Sequence, residues 1–460
     1  MEESKEHQVE ANLLVERKED NYMQRVRVNQ GYLVKNTPTL PLNILERTMC
    51  SDEILKKGLL FVGGARQGKT NVMMKVASDI LEHLEVGDKV VFLDVKGDYR
   101  NVFFQEGDAI LSPIENQYLW NVFEDLRKLT SAYELENATE QLVGNLYYGL
   151  NSEKEPFWTN AAKIITSCFI WYMLMEADVN DDSSKLNHYE LCQLLDGFTS
   201  AYSEEDSEDM DECYQIYNSY RGVLNSYDKF KSANLFLPPL ENCAMGPSVI
   251  SEIMVMKRRL FRATFGEAIR HRNQRYISNA TLPEVTFLEF NQNYREVCIP
   301  VFRCFMDMLI NSYLDSAKRK KGKLYLILDE LAILPQLDNL SYALSLGSGY
   351  GIRVVAGLQE IEQIRHNYQT NPHNAEVLLG AFQSQIVYNC DVHTADYIVK
   401  ILGNAWIQRE LIQAGGGIDY ASPVQVPVIA PEELRNFEPG RALVHFEHSN
   451  AFIMKFPIYE

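Results

Sequence analysis

Short apolar runs alternate along this chain with segments whose apolar residues recur at helical spacing. Leu59-Leu60-Phe61-Val62 is one such run, and Asn71 to His83 carries Val72, Met73, Val76 and Ile80 in a helical pattern. Lys89-Val90-Val91-Phe92-Leu93-Asp94 is apolar until its final acid, the form of a central parallel strand. From Glu134 to about Tyr276 the pattern is helical. Strand character resumes at Val285 to Phe290, followed by a predicted helix over Pro300 to Ala317 and a strand over Leu324 to Leu328. Helices over Leu340–Leu346, Glu360–Tyr368 and Thr394–Leu402 then alternate with strands over Ile352–Leu358 and Gln385–Asn389. Ala442–Phe446 and Ala451–Pro457 make a β-rich end. This alternation predicts an α/β fold with a mostly parallel central sheet and helices on both faces, interrupted by an all-α insertion.

At 460 residues the chain has room for two domains. The expected division is a polar, mobile N-terminus over 1–22, a first sheet portion over 23–133, the all-α insertion over 134–276, and a second sheet portion over 277–460. A 46% hydrophobic and 23% charged composition is that of a soluble globular protein. The longest apolar run, Ile164 to Met175, is shorter than the roughly 20 residues a bilayer requires, so it reads as a core helix and no transmembrane segment is expected. Eight cysteines lie scattered without a C-x-x-C pair, which signals neither zinc nor a disulfide framework. With no signal peptide in view, the expected location is a reducing cytoplasm.

The net charge of −19 is unevenly spread. Glu176 to Glu212 is densely acidic, with Lys185 its only base. Basic residues gather instead in Lys257, Arg258, Arg259, Arg262, Arg270, Arg272 and Arg275, and again in Lys318 to Lys323. An acidic protein is a poor non-specific binder of nucleic acid, although a channel lined by inward-facing bases could hold DNA. Arg258, Arg259 and Arg262 are the DNA-contact candidates; a solvated helix face is the competing reading.

Gly63-Gly64-Ala65-Arg66-Gln67-Gly68-Lys69-Thr70 completes a G-x-x-x-x-G-K-T phosphate loop between a strand and a helix, the context that gives the pattern meaning. Its glycines let backbone N–H groups turn toward phosphate oxygens at a helix N-terminus. Lys69 is expected to reach the β- and γ-phosphates and the Thr70 hydroxyl to ligate Mg²⁺. Downstream, Leu324-Tyr325-Leu326-Ile327-Leu328-Asp329-Glu330 is a buried strand ending on two acids, a Walker B arrangement. At the carboxyl edge of the sheet Asp329 would hold Mg²⁺ and Glu330 would orient or deprotonate water. Gln359, at the end of the Ile352–Leu358 strand, lies at the same edge and is a candidate for sensing phosphate or positioning water. The Asp94-Val95-Lys96-Gly97-Asp98-Tyr99 segment is compatible with plain turn chemistry.

Together these phrases resemble the type IV secretion coupling-protein family (TraG/TraD-like), within the FtsK/HerA-like branch of additional-strand P-loop ATPases. The residues that carry the resemblance are Gly63 to Thr70, Asp94 to Asp98, Glu155-Pro156-Phe157-Trp158, Leu328 to Ala332 and Val354 to Gln359. His393 to Tyr397 through Leu402-Gly403 also match. The resemblance covers the chain from about residue 30 onward. It implies a RecA-like ATPase with ATP and Mg²⁺ as cofactors and a homo-hexameric ring. Such a ring would pass single-stranded DNA or a relaxase–DNA complex to a secretion channel, and the acidic insertion would take part in recruiting substrate.

Two departures qualify what is implied. Family members are usually anchored by N-terminal transmembrane helices, so tethering at the inner face of the membrane would need a partner component. Relatives also commonly carry Gly-Arg where this chain has Gly347-Ser348, and that arginine reaches the neighbouring subunit's phosphates. Arg353 is the candidate replacement, with Arg365 a weaker one. Three functions remain open: a conjugative DNA-transfer motor, a soluble HerA/FtsK-like translocase in defence or segregation, and a weakly hydrolysing recruitment scaffold.

Overall fold

A computed structural model describes residues 18–19, 22–23, 42–45, 48–50, 52–112, 118–129, 131–148, 156–203, 222, 246–264, 275–289, 293, 295–314, 322–337, 339–368, 372–407, 410–412, 418–420, 423–447 and 451–456. The polar segment 1–17, the acidic residues 204–212 and the basic residues 318–321 lie outside it, as do the side chains of Arg259 and Arg262. The chain divides into two compact units. One comprises residues 1–93, 99–104 and 313–460; the other comprises 94–98 and 105–312.

The first unit is built on seven strands: β1 (Leu59–Val62), β2 (Lys89–Asp94), β3 (Leu324–Leu328), β4 (Ile352–Leu358), β5 (Ser384–Val387), β6 (Arg441–His445) and β7 (Phe452–Lys455). Their order across the sheet is β7-β6-β5-β1-β4-β3-β2. Pairings from β2 through β5 are parallel, whereas β5–β6 and β6–β7 are antiparallel. Every residue of β1, β3 and β4 is buried. That double-sided burial is why these strands read as unbroken apolar runs rather than alternations.

The order places β4 between the phosphate-loop strand β1 and the two-acid strand β3. Register aligns Leu358 with Val62 and Ala356 with Leu328, so the loops leaving all three strands emerge at one level. Gly357 makes this close spacing possible: a Cβ there would lie 2.2 Å from the Asp329 carbonyl oxygen. Strands approach most closely where a glycine removes the side chain between them.

At the other side of β1, helix Val392–Leu402 and helix Pro431–Arg435 pack through Ala395, Ile398 and Leu434 against Val387 and Leu443. Asp391 caps the first of these helices by accepting from the His393 and Thr394 backbone N–H groups.

The second unit holds helices Ala132–Leu146, Pro156–Asn180, His188–Ser203 and Gly246–Thr264, and most of Arg295–Leu314. It is wider than the insertion expected over 134–276, and it is not wholly helical. Ala109–Leu111 pairs in parallel with Val285–Glu289, and Tyr118–Trp120 with Arg275–Ile277. Val285–Glu289 falls in the strand expected from the sequence, whereas the three-residue strands Ala109–Leu111, Tyr118–Trp120 and Arg275–Ile277 are too short to leave a periodic signature. Pro300 is another correction: it lies inside its helix, which begins five residues earlier, at Arg295. A proline favours a first turn but can sit deeper at the loss of one backbone bond. The apolar run Ile164 to Met175 is indeed a core helix segment, with Ile165, Phe169 and Ile170 buried. Among the described residues, no helix is long and apolar enough to cross a membrane.

Candidate nucleotide site at the carboxyl edge of the sheet

Residues Gly63 to Thr70 leave β1 and enter the 14-residue helix Lys69–Glu82. Both flanking strands grip the loop's entrance. Gly63 N–H donates to the Leu358 carbonyl at 3.1 Å, and Gly64 N–H to the Asn389 carbonyl at 2.8 Å. Gly63 has φ +153°, and a Cβ there would meet Tyr388 Cβ at 2.7 Å. Arg66 takes a left-handed conformation with φ 62° and is exposed beside Ala65. The helix that follows has no acid of its own in its first turn. Lys69 Nζ donates to the Gly63 carbonyl and, at 2.9 Å, to that of Gly64, which curls the ammonium over its own loop.

Asp329 and Glu330 follow β3 and take different partners. Thr70 Oγ1 donates to Asp329 Oδ1 at 3.2 Å, joining the phosphate loop to the end of β3. Gln359 Nε2 donates to Glu330 Oε2 at 2.8 Å, so β4 orients that carboxylate. The other Glu330 oxygen, Oε1, is buried without a hydrogen-bond partner. Burial raises the Glu330 carboxyl above its ordinary range, against the opposing pull of the Gln359 hydrogen bond and the Lys69 charge. A half-buried carboxylate with one buried, unsatisfied oxygen and a raised proton affinity is suited to accepting a proton from water. The donor set fits a magnesium nucleotide: a glycine-bent loop, a lysine, a hydroxyl linked to one carboxylate, and an orphaned oxygen on a second.

Tyr99, Asn389 and Gly440 belong to this edge; no motif gives Asn389 or Gly440 a role, and the segment that ends on Tyr99 reads only as a turn. Tyr99 donates its hydroxyl to Asp329 Oδ1 at 3.2 Å from the helix Asp98–Phe103. Asn389 Nδ2 donates to the Arg435 and Phe437 carbonyls at 2.7 and 3.2 Å, while Gly440 N–H donates to the Gln67 carbonyl at 2.9 Å. The C-terminal segment thus closes over one side of the phosphate loop. The apolar pattern of this segment predicts its terminal strands but carries no information about the contact.

A family model for the type IV secretion-system coupling protein DNA-binding domain matches residues 50–229 and 267–447. The chain belongs to this family. The conjugal transfer protein TraG of Escherichia coli is 23% identical over 168 residues, a match covering 33% of this chain and 26% of TraG. The match therefore spans about a quarter of that relative's length. The fold is that of the bacterial conjugative coupling protein TrwB. The unbound structure of TrwBΔN70 superposes with a TM-score of 0.67 at 20% identity, covering 92% of this chain and 90% of the TrwBΔN70 chain. TrwB with the ATP analogue ADPNP gives 0.66 at 19% identity, over 93% of this chain and 91% of TrwB. TrwB with ADP and Mg²⁺ gives 0.64 at 19% identity, over 93% and 90%.

In this coupling-family chain the remaining expected residues fall into distinct places. Ser348 lies in the turn Gly347–Tyr350 after helix Leu340–Ser345. Arg353, on β4, is 3% exposed and committed within its own subunit. Its Nε and Nη2 donate to the two Asp52 oxygens at 2.8 and 2.9 Å, and its Nη1 to the Ser348 and Ile352 carbonyls at 3.3 and 3.0 Å. That geometry is a structural ion pair and does not present a guanidinium to a neighbour. Arg365 bridges Glu362 and Glu376 at 2.6 and 2.8 Å and lies over the Tyr397 ring. Arg258 is exposed on helix Gly246–Thr264, next to Lys257, which pairs with Asp196.

Proposed function

We propose that this coupling-family protein is an ATP-driven motor that moves DNA, free or with an attached relaxase, toward a type IV secretion channel. The observation that carries the reading is the set Lys69, Thr70, Asp329, Glu330 and Gln359 at the ends of three adjacent strands. Nucleotide complexes of TrwB, whose fold this chain shares, support ATP and Mg²⁺ as its ligands. Gly63 to Thr70 would cradle the phosphates, with Lys69 on the β- and γ-phosphates. Thr70 and Asp329 would hold magnesium, and bound magnesium would neutralise charge on the phosphate oxygens. Glu330 would take the proton of the attacking water through its unsatisfied oxygen, held in line by Gln359. Arg258, Arg259 and Arg262 are the proposed DNA contacts; neutralising them is expected to flatten the salt dependence of DNA binding.

A hexameric ring would let one subunit complete the site of the next. Electron microscopy with an ATP analogue and single-stranded DNA tests this, the expected result being six-fold rings with DNA in the channel. Monomers under those conditions would remove the ring from the proposal. One observation favours a second reading, a recruitment scaffold that turns over ATP slowly. Ser348 cannot supply the positive charge that an arginine finger contributes, and Arg353 is tied to Asp52.

A further inference from the structure

We propose that Tyr99 is a positioning residue for Asp329, holding that carboxylate in the orientation that receives magnesium beside the phosphate loop. The inference rests on the nucleotide reading above and deepens it. Tyr99 is fully buried, one residue into the helix that follows β2 and the tight turn at Gly97, where φ is +77°. Its ring centroid lies 5.4 Å from that of Phe92 on β2 and 6.4 Å from that of Phe103 one helical turn on. Phe92 and Phe103 stack on each other with centroids 6.1 Å apart. The buried Tyr99 ring packs against both, so it has little freedom and its hydroxyl is delivered to a fixed point.

That point is Asp329 Oδ1, at 3.2 Å. The same oxygen accepts from Thr70 Oγ1 at 3.2 Å. Two hydroxyl donors arriving from different elements fix the plane of the carboxylate more firmly than one can. Both donors are neutral, which matters for the chemistry. A lysine or arginine in place of Tyr99 would orient Asp329 equally well but would offset the charge that a cation needs.

Phenylalanine would fill the same space against Phe92 and Phe103 without the cost of burying a hydroxyl. The hydroxyl is therefore accounted for by its acceptor, and the acceptor is the residue placed on magnesium. Groups that orient a metal ligand affect metal affinity although they never touch the metal.

The test uses the full chain and two variants without the hydroxyl, Tyr99→Phe and Tyr99→Met. Binding of a fluorescent ATP analogue is followed as Mg²⁺ is titrated, and again in EDTA, with thermal unfolding measured in the absence of nucleotide. The expected result is a rise of about tenfold in the Mg²⁺ midpoint for both variants. Affinity in EDTA should not change, and the unfolding midpoint of Tyr99→Phe should stay near that of wild type. An unchanged Mg²⁺ midpoint in Tyr99→Phe would overturn the inference. So would a rise confined to Tyr99→Met, or one matched by an equal loss of affinity in EDTA, since either describes packing rather than positioning. Wild-type protein that binds no nucleotide, with or without Mg²⁺, would instead remove the nucleotide reading itself.

Discussion

Glu330 and Arg353 show how one kind of environment, a largely buried charged group, serves two purposes. Glu330 is held by a neutral amide and keeps one oxygen unsatisfied, an arrangement that costs stability and makes sense as chemistry. Glu330→Gln is accordingly expected to retain bound ATP while phosphate release falls by about 100- to 10,000-fold, the range for losing a general base. Filter-binding and phosphate-release assays on the same preparation would check both halves, and normal release from the variant would remove Glu330 from the proton transfer.

Arg353 is instead fully matched by Asp52, both residues being almost completely buried. Burial alone would raise the Asp52 carboxyl; the hydrogen bond and charge of Arg353, aided by Lys323 and Lys56, outweigh it and hold the carboxyl below its ordinary value. The stability from this pair is therefore present above the ordinary aspartate range and is lost as pH falls through the lowered folded value. Arg353→Met should cost about 3–5 kcal/mol at neutral pH by leaving Asp52 buried and unpaired. Acidification should then ease the penalty, because the stranded carboxyl can protonate. Chemical denaturation at two pH values checks this, and a variant as stable as wild type at neutral pH would contradict the structural role.

At the scale of elements, the sheet turns separate motifs into one site. Strands β1, β3 and β4 are legible in the sequence because burial on both faces writes them as continuous apolar runs. Their terminal residues Gly63, Asp329, Glu330 and Gln359 could be nominated for the same reason. What the sequence does not carry is the lateral order, which depends on pairings between distant segments. Tyr99 and Asp329 are 230 residues apart, and nothing local in Asp98-Tyr99-Arg100 names the acceptor. The contact of Gly440 with Gln67 is hidden in the same way. The short strands at Ala109–Leu111 and Tyr118–Trp120 lack the length for a pattern.

Gly357 is the residue on which the three-strand arrangement depends most directly. Gly357→Ala would set a Cβ 2.2 Å from the Asp329 carbonyl oxygen, so β3 or β4 must move. The expected cost is about 1–3 kcal/mol in stability, as for other overpacked cores, together with weakened Mg²⁺-dependent nucleotide binding. Denaturant unfolding and nucleotide titration of the same variant check the two effects. A variant that folds and binds like wild type would mean that the spacing tolerates a methyl group.

At the scale of the whole molecule, the chain has a sheet-based unit carrying the proposed nucleotide residues and a second unit that is mostly helical and bears the exposed Arg258. The proposed DNA cargo agrees with membership of the coupling-protein family, and in the same proposal the acidic stretch beginning at Glu176 would suit a basic protein partner better than DNA. The central claim is that nucleotide turnover at Lys69 is coupled to DNA. Its most direct test is steady-state phosphate release by the purified chain with and without single-stranded DNA, alongside Lys69→Ala. The account predicts Mg²⁺-dependent release that rises with DNA in wild type and is absent from Lys69→Ala in both conditions. Equal release from wild type and Lys69→Ala, with no response to DNA in either, would contradict it.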